Sequence, residues 1–310
     1  MSTLAELKNK LECGADSVLG TGYTKFCIKQ IKKAVTLMLM PIDYEFASDE
    51  EFTESFIRTE QQKGNVIVLK GVTQVEDQSA DDTLETDEDG TEQVTNLGKY
   101  KFRFHFKNGL DFHSALESLS GFRRWSVAMV DAENQILGTI GVVDNDAFKG
   151  FTTTQVQYGR LQMPTSAQAQ KEFLTIQLAE RKELDANHNL IQPEFNALNL
   201  DGIYQTKLSF VNAPQDGDTS LVVRATYLDG THGVSGMDET NFVVTSGGSD
   251  VSVSAVTESS TTPGEYTLTI PALTANQITT VREYDATLNK AVINLDNTLF
   301  QSNILSATVV

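Results

Sequence analysis

A run of acidic side chains is the part of the chain whose composition most directly suggests chemistry. Residues 76–93 read EDQSADDTLETDEDGTEQ, in which nine of the eighteen residues are Asp or Glu, and no Lys or Arg occurs between Lys70 and Lys99. Carboxylates at this density can hold a metal ion, act as a catalytic acid and base, form a solvated disordered segment, or meet a basic surface. The rest of the sequence has to decide among these four interpretations.

The calcium-loop pattern fits the run only in part. Aligning Gly90 with the sixth-position glycine of an EF-hand loop places acidic residues at the first, third and fifth positions, namely Glu85, Asp87 and Asp89. The twelfth position is then Asn96, where that loop requires a bidentate Glu. A strand pattern, and no helix, follows the run. We therefore predict no metal site here and no cofactor for the chain.

The sequence also contains no recognisable catalytic motif. The Gly-rich stretch GADSVLGTGYT lacks the Lys-Ser/Thr ending of a P-loop, GVSGM is one residue short of a nucleophile elbow, and neither C-x-x-C nor H-E-x-x-H occurs. A run so poor in apolar residues provides no pocket of its own for acid–base chemistry. We predict a non-enzymatic protein without catalytic residues.

Two histidines leave one metal-binding alternative open. His105 lies on the polar face of a predicted strand, and His113 begins the helix that follows. The two side chains could approach each other and hold a metal ion. The interpretation that we favour is a surface histidine and a helix-start histidine, because no further ligand is indicated by spacing.

The overall composition restricts the possible partners. A net charge of −18 disfavours specific binding of nucleic acid or of anionic membranes, since both require clustered Lys and Arg. A hydrophobic content of 40% is enough for a buried core. The N-terminus lacks an apolar signal segment, and no apolar run could span a bilayer. We therefore expect no membrane partner, and reduced thiols at Cys13 and Cys27.

The first part of the chain is predicted to be a β-sheet with packed helices. The clearest signal is GKYKFRFHFKNG, whose aromatic residues alternate strictly with basic ones. Helices are predicted at 3–12, 49–64 and 111–121, strands at 32–41, 65–72, 98–107, 151–163 and 171–181, a strand–turn–strand at 123–139, and a loop at 184–202. The acidic run then forms a long inter-strand loop at 75–97 in a domain that covers residues 1–202.

The remaining residues, 203–310, are predicted to form a separate β-sandwich. Lys and Arg become scarce, and Ser, Thr and Val dominate. Short alternating runs such as SLVVRATYL, TNFVVTS and EYTLTIP are separated by turn clusters such as APQDGD and TSGGSD. Short strands that are separated by turns at regular intervals are typical of a β-sandwich.

Two resemblances give these domains a more specific interpretation. Residues 233–271 resemble bacterial and phage Ig-like domains at Gly233, Val234, Gly236, Asn241, Phe242, Val244, Gly264, Tyr266, Leu268 and Thr269. The whole chain resembles virion structural proteins of tailed bacteriophages, especially tail tube proteins of phages of Bacteroidetes-type hosts. The stretches that carry this resemblance are GVTQVEDQSADDTLET, GKYKFRFHFKNGLDFHSALESL and RRWSVAMVDAENQILGT.

The resemblances imply a fold and a function. The expected fold class is mainly β, or β-rich α+β. An N-terminal β-sandwich or barrel would carry one or two packed helices and the acidic loop, and an Ig-like β-sandwich would follow it. The expected function is that of a tail tube subunit in the virion, assembled in the host cytoplasm with other virion proteins. Its homo-oligomeric rings, hexameric in this family, would stack into a channel through which DNA is ejected without specific binding.

Two other functions remain open. One is a head–tail connector, ring or capsid decoration protein of a tailed phage, which would need a pre-formed partner. The other is a surface- or carbohydrate-binding adhesion module, which would need an exposed aromatic platform. Trp125, the only tryptophan, lies in an alternating strand and is predicted to be buried. The acidity of the chain suits a channel that repels DNA, and it equally suits a protein that is merely soluble.

The acidic loop is then a candidate subunit contact. Its candidate contact residues are Glu76, Asp77, Asp81, Asp82 and Glu85. The candidate basic partner face consists of Lys99, Lys101 and Arg103 on the strand that follows, either in the same chain or in a neighbouring one. Reversing the charge at Asp81, Asp82 and Glu85 is expected to impair assembly more than monomer stability.

Overall fold

The computed structural model describes residues 2–10, 30–142 and 144–310. The chain divides into two compact units, one formed by Met1–Ile57 and Asn65–Leu200 and the other by Arg58–Gly64 and Asp201–Val310. The two cysteines lie outside the described residues. Of the helices that the described residues form, none is long and apolar enough to cross a membrane.

The first unit combines short helices with many strands. Its helices are α1 (Leu4–Lys10), α2 (Glu54–Lys63, assigned to the second unit from Arg58 onward), α3 (Leu110–Leu119) and α4 (Arg181–Asp185). Its strands are β1 (Ala34–Pro41), β2 (Ile67–Lys70), β3 (Gln74–Asp77), β4 (Thr83–Thr86), β5 (Glu92–Asn96), β6 (Lys101–Phe106), β7 (Gly121–Phe122), β8 (Trp125–Asp131), β9 (Ile136–Ile140), β10 (Phe148–Lys149), β11 (Phe151–Tyr158), β12 (Glu172–Leu178) and β13 (His188–Ile191).

Most of these strands belong to one 11-stranded sheet. Its main path runs β10-β9-β8-β11-β12-β6-β3, while β1 lies between β2 and β8, β13 adds to β9, and β7 adds to β11. Strand β11 joins two halves of the sheet, because its first residues pair with β8 and its later residues pair with β12 and β7. One of these halves has the order β3-β6-β12-β11-β7.

Two hydrophobic clusters bury both faces of strands β1 and β8. Leu37 and Leu39 face one cluster together with residues of β6, β12 and α3. Met38 and Met40 face the other cluster together with residues of α1 and α2. Strands that are buried on both faces have nearly continuous apolar sequences, which explains why AVTLMLMP shows no alternation of apolar and polar residues.

The second unit is a two-sheet β-sandwich. Its strands are β14 (Tyr204–Phe210), β15 (Ser220–Tyr227), β16 (Phe242–Ser246), β17 (Ser249–Val251), β18 (Ala255–Glu258), β19 (Glu265–Thr269), β20 (Ile278–Glu283), β21 (Ile293–Leu295), β22 (Thr298–Ser302) and β23 (Leu305–Thr308). One sheet has the order β18-β19-β15-β14-β22-β21 and the other β17-β16-β20-β23. Both contribute to one buried cluster. The predicted mainly β fold class is confirmed, and the second unit is a β-sandwich as predicted.

The predicted loop at 184–202 was wrong in its middle. Residues His188–Ile191 form β13, which pairs with β9, and Ala197–Asn199 form a 3-10 turn. Leu190 and Ile191 are buried in different clusters, on opposite faces of the strand. With only two apolar residues and no alternation, the segment carries no period-two signal that sequence reasoning could detect.

Candidate subunit-contact site

The acidic run forms regular structure, so the predicted irregular loop was wrong. Strand β3 pairs antiparallel with β6, with Glu76 opposite Arg103. Strands β4 and β5 then form a separate two-stranded hairpin. At its tip, the amide of Asp87 donates to the carbonyl of Thr91 over 2.8 Å, and Gly90 has a φ of 84°, a backbone conformation that favours glycine.

The hairpin, residues 83–96, is here called the arm. All residues of its two strands are exposed. Leu84 and Val94 are direct cross-strand partners, remain 53% and 54% exposed, and belong to none of the hydrophobic clusters of the described chain. A lone two-stranded hairpin is only marginally stable in water. The arm therefore has an apolar pair that the described residues leave uncovered.

Each face of the arm carries one glutamate, and only one of the two faces carries the apolar pair. Because side chains alternate along a strand, Glu92 shares the face of Leu84 and Val94, whereas Glu85 lies on the opposite face. Glu88 lies in the tip. Within the described part of the chain, Glu85, Glu88 and Glu92 make no ion pair. One face of the arm is thus both apolar and acidic.

The base of the arm is fixed by a network of charged groups. Asp82 Oδ1 accepts hydrogen bonds from the Gly98 amide at 2.8 Å and from Arg181 Nη1 at 2.7 Å. Arg181 Nε also donates to Asp185 Oδ2 at 2.8 Å, and Tyr100 Oη donates to Asp185 Oδ1. The hydrogen bond from Tyr100 is the largest cause that lowers the pKa of Asp185.

Gly98 is required at this base for steric reasons. A Cβ atom at Gly98 would lie 1.9 Å from the carbonyl oxygen of Ala80. Two chain segments therefore meet in backbone contact where the arm leaves the sheet. Together with the network around Arg181, this contact sets the direction in which the arm projects.

The structure brings together only part of the two predicted sets of contact residues. Glu76 Oε2 lies 3.8 Å from Arg103 Nη1, as the predicted pairing of the loop with its own basic face requires. Asp77 accepts a hydrogen bond from the Ser79 amide at 2.9 Å, and hydrogen bonding from Ser79 lowers its pKa. Asp81, Glu85, Lys99 and Lys101 make no ion pair among the described residues.

The cation that holds Asp82 was missed by sequence reasoning. Arg181 is 99 residues away in the chain, at the start of α4, whereas the predicted basic face lies directly after the acidic run. The pairing depends on the sheet order, which carries the end of β12 to the start of β6. A single sequence contains no signal for this contact.

His105 was wrongly predicted to be a surface histidine. It is buried, because β3 and β12 flank β6 on both sides, and its ring meets Phe173 edge-on at 4.7 Å. Its Nε2 lies 2.8 Å from Glu76 Oε1. Burial lowers the pKa of His105, although Glu76 acts in the opposite direction. His113 packs on Tyr158 instead, and no cluster of His, Cys, Asp and Glu in the described residues could hold a metal ion.

A second exposed surface lies in the second unit. It is an open depression of about 490 Å³ lined by Tyr204, Gln205, Tyr227, Leu228, Asp229 and His232. Tyr204 is 41% exposed and contacts Tyr227 edge-on at 6.3 Å. His232 Nδ1 is hydrogen-bonded to Asp229 Oδ2, which lowers the pKa of Asp229. Trp125, by contrast, is buried as predicted, and its Nε1 donates to the Leu119 carbonyl at 2.7 Å.

Comparison with known proteins gives little guidance. No protein-family model matches the chain, and no curated protein matches it. Among solved structures, one that resembles it is SGBP-B of the Bacteroides ovatus mixed-linkage glucan utilization locus, in complex with a mixed-linkage heptasaccharide. The two sequences are 14% identical, and the match covers 79% of this chain but only 62% of that one. The TM-score of 0.21 is too low for the likeness to carry an argument.

Proposed function

We propose that the protein is a non-enzymatic virion structural protein, most specifically a tail tube subunit whose copies assemble through the arm into stacked rings. The observation that carries this proposal is the Leu84–Val94 pair, which stays exposed on a charged hairpin in the part of the chain that the structure describes. The resemblance to tail tube proteins supports it, since those proteins also carry a long loop on a β-rich core. An interface with another copy would cover this apolar pair, which explains why the pair is exposed in a single chain.

The arm alone is too small to hold two copies together. Covering the exposed parts of two apolar side chains contributes about 1–3 kcal/mol, whereas stable interfaces need far more buried area. The outer side of β3, which pairs with no other strand among the described residues, provides further surface for pairing with a neighbour. In a closed ring each copy makes the contact twice, which lets weak individual contacts support a stable assembly.

Deleting the arm tests the proposal. We expect a variant in which residues 83–96 are replaced by Gly-Ser to remain monomeric at concentrations where the full chain forms rings or tubes. Its fold should persist, because no residue of the arm belongs to a hydrophobic cluster. The measurements are sedimentation velocity and negative-stain electron microscopy, with circular dichroism as the control for folding.

The same images distinguish the related functions. A tube subunit polymerises along an axis without other proteins, whereas a connector or decoration protein stops at single rings or binds only a pre-formed particle. A full-length protein that stays monomeric at every concentration, with no rings in the images, contradicts the proposal.

The depression around Tyr204 favours a second candidate function, a carbohydrate- or surface-binding module. Exposed tyrosine rings can stack on sugar faces, while Gln205, Asp229 and His232 provide hydrogen-bonding groups. We expect Tyr204→Ala to weaken binding of a responsive neutral oligosaccharide at least tenfold, in calorimetric titrations of a panel of such sugars. Tyr284→Ala, a partly exposed tyrosine of the same unit that does not line the depression, is the matched control. Equal affinity in both variants contradicts this function.

A further inference from the structure

A basic, aromatic surface lies at β7, and it is here called the FRR patch: Phe122, Arg123 and Arg124. Phe122 is 70% exposed, and two arginines follow it directly in the chain. The guanidinium of Arg123 lies 5.8 Å from the centre of the Phe122 ring. The guanidinium of Arg124 lies 4.5 Å from the centre of the Trp125 ring, and it donates to the Ser118 carbonyl at 3.0 Å.

The two arginines keep their charge available. Among the described residues, neither Arg123 nor Arg124 makes an ion pair. Arg123 also has a φ of 48°, in the left-handed region that non-glycine residues rarely adopt. Its amide is fixed there by a hydrogen bond to the Thr154 carbonyl at 2.9 Å. The backbone therefore holds an arginine in a conformation that is usually costly for residues other than glycine.

We propose that the arm of one copy docks on the FRR patch of the next copy. The apolar pair Leu84 and Val94 would cover the Phe122 ring, while Glu88 and Glu92 would pair with Arg123 and Arg124. Among the residues that the structure describes, each surface combines an exposed apolar group with charges that make no ion pair, and the two sets of charges have opposite sign. This inference rests on the proposed function and names the contact that produces the assembly.

The sheet topology determines what kind of contact this is. In the order β3-β6-β12-β11-β7, the arm follows β3 at one edge and the patch includes β7 at the other. Four strand spacings, roughly 19 Å, separate these edges. Two different surfaces on opposite edges make a head-to-tail contact between copies, and such contacts close into rings or continue as filaments.

Charge reversal on each side tests the pairing. The arm-reversed variant is Glu88→Lys with Glu92→Lys, and the patch-reversed variant is Arg123→Glu with Arg124→Glu. We expect each variant alone to need at least a tenfold higher concentration to assemble, because like charges then face each other. Mixed in equal amounts, they should assemble at nearly the original concentration, since a lysine arm meets a glutamate patch and the native arm meets the native patch.

Matched variants control for net charge. Glu239→Lys with Asp250→Lys has the same charge change as the arm-reversed variant, and Lys207→Glu with Lys290→Glu has that of the patch-reversed variant. All four sites are exposed and lie in the second unit. Two single variants compare the faces of the arm, because Glu85 and Glu92 lie on opposite faces. We expect Glu85→Lys to raise the concentration needed for assembly less than Glu92→Lys does. Sedimentation velocity reports assembly, and circular dichroism confirms that each variant is folded.

The outcomes separate this inference from the proposed function. If the original chain assembles and the reversed variants do so equally well, the docking is overturned while self-assembly stands. If each variant fails and their mixture also fails, the two surfaces do not meet, and the inference is again overturned. If the original chain never assembles, both proposals fail. Binding of a single-stranded oligonucleotide that is lost only in the patch-reversed variant would identify a different occupant and overturn the docking.

Discussion

Glu283→Gln is expected to remove the loss of stability that the Glu283 carboxyl causes in the second unit as pH rises from 4.5 to 8.5. The Glu283 carboxyl is buried, and Oε1 accepts a hydrogen bond from Thr206 Oγ1 at 2.7 Å. Its Oε2 has no hydrogen-bond partner among the described residues. Burial raises the pKa of Glu283 from 4.5 to about 7, and the hydrogen bond from Thr206 offsets this only in part.

The direction of the pH effect follows from the raised pKa. Below pH 4.5 the carboxyl is protonated in the folded and the unfolded state, so burial has no ionic cost. Between pH 4.5 and about 7 the unfolded chain ionises and the folded chain does not. Above about pH 7 the folded state must bury a charge. The free energy of unfolding therefore falls as pH rises, by roughly 3 kcal/mol at ~1.4 kcal/mol per pH unit.

Glutamine isolates this effect because it cannot ionise. Its amide oxygen can still accept from Thr206, and its buried NH₂ group adds a cost of about 1–3 kcal/mol that does not depend on pH. The measured quantity is the difference in unfolding free energy between the variant and the original chain, at pH 4.5 and at pH 8.5. Denaturant-dependent hydrogen exchange of β16 and β20 amides reports the second unit alone. The same difference at both pH values would contradict the raised pKa.

The position of Glu283 illustrates what one sequence can predict for this fold. Alternation predicted the sandwich class, because short strands with one buried face repeat along residues 203–310. It did not identify β20 or the strands after it, since the run ITTVRE mixes apolar and polar residues in a half-buried sheet. Nor could it show that Glu283, at the end of that strand, points into the sandwich. Burial of a charged residue depends on the opposite sheet, which a single sequence does not display.

The candidate contact site was predictable to a similar extent. The density of carboxylates in residues 76–93 located the site, because composition is known from the sequence alone. The division into β3 and the arm could not be predicted, because acidic and threonine residues obscure the alternation around Leu84 and Val94. The anchoring of Asp82 by Arg181 and the opposite placement of the FRR patch both follow from the strand order. Strand order depends on contacts between distant residues, and local patterns do not encode it.

Phe104→Ala is expected to destabilise the first unit by about 3–5 kcal/mol, the usual cost of removing a buried phenylalanine. The side chain is fully buried at the centre of β6, between Leu174 of β12 and Val75 of β3. A domain of this kind has only about 5–15 kcal/mol of stability in total. The variant should therefore unfold at a much lower denaturant concentration than the original chain.

Trp125 provides the measurement for this prediction, since it is the only tryptophan and lies in the same buried cluster as Phe104. Lys107→Ala, which removes an exposed side chain just after the same strand, is the matched control and should change the unfolding free energy by less than about 0.5 kcal/mol. A loss below about 1 kcal/mol for Phe104→Ala would show that β6 is not central to the core. Because β3 pairs only with β6 among the described strands, weakening β6 also loosens the strand that carries the arm. Under partly denaturing conditions, Phe104→Ala should consequently lose assembly before Lys107→Ala does, which links the alternating aromatic strand to the contact proposed for the arm.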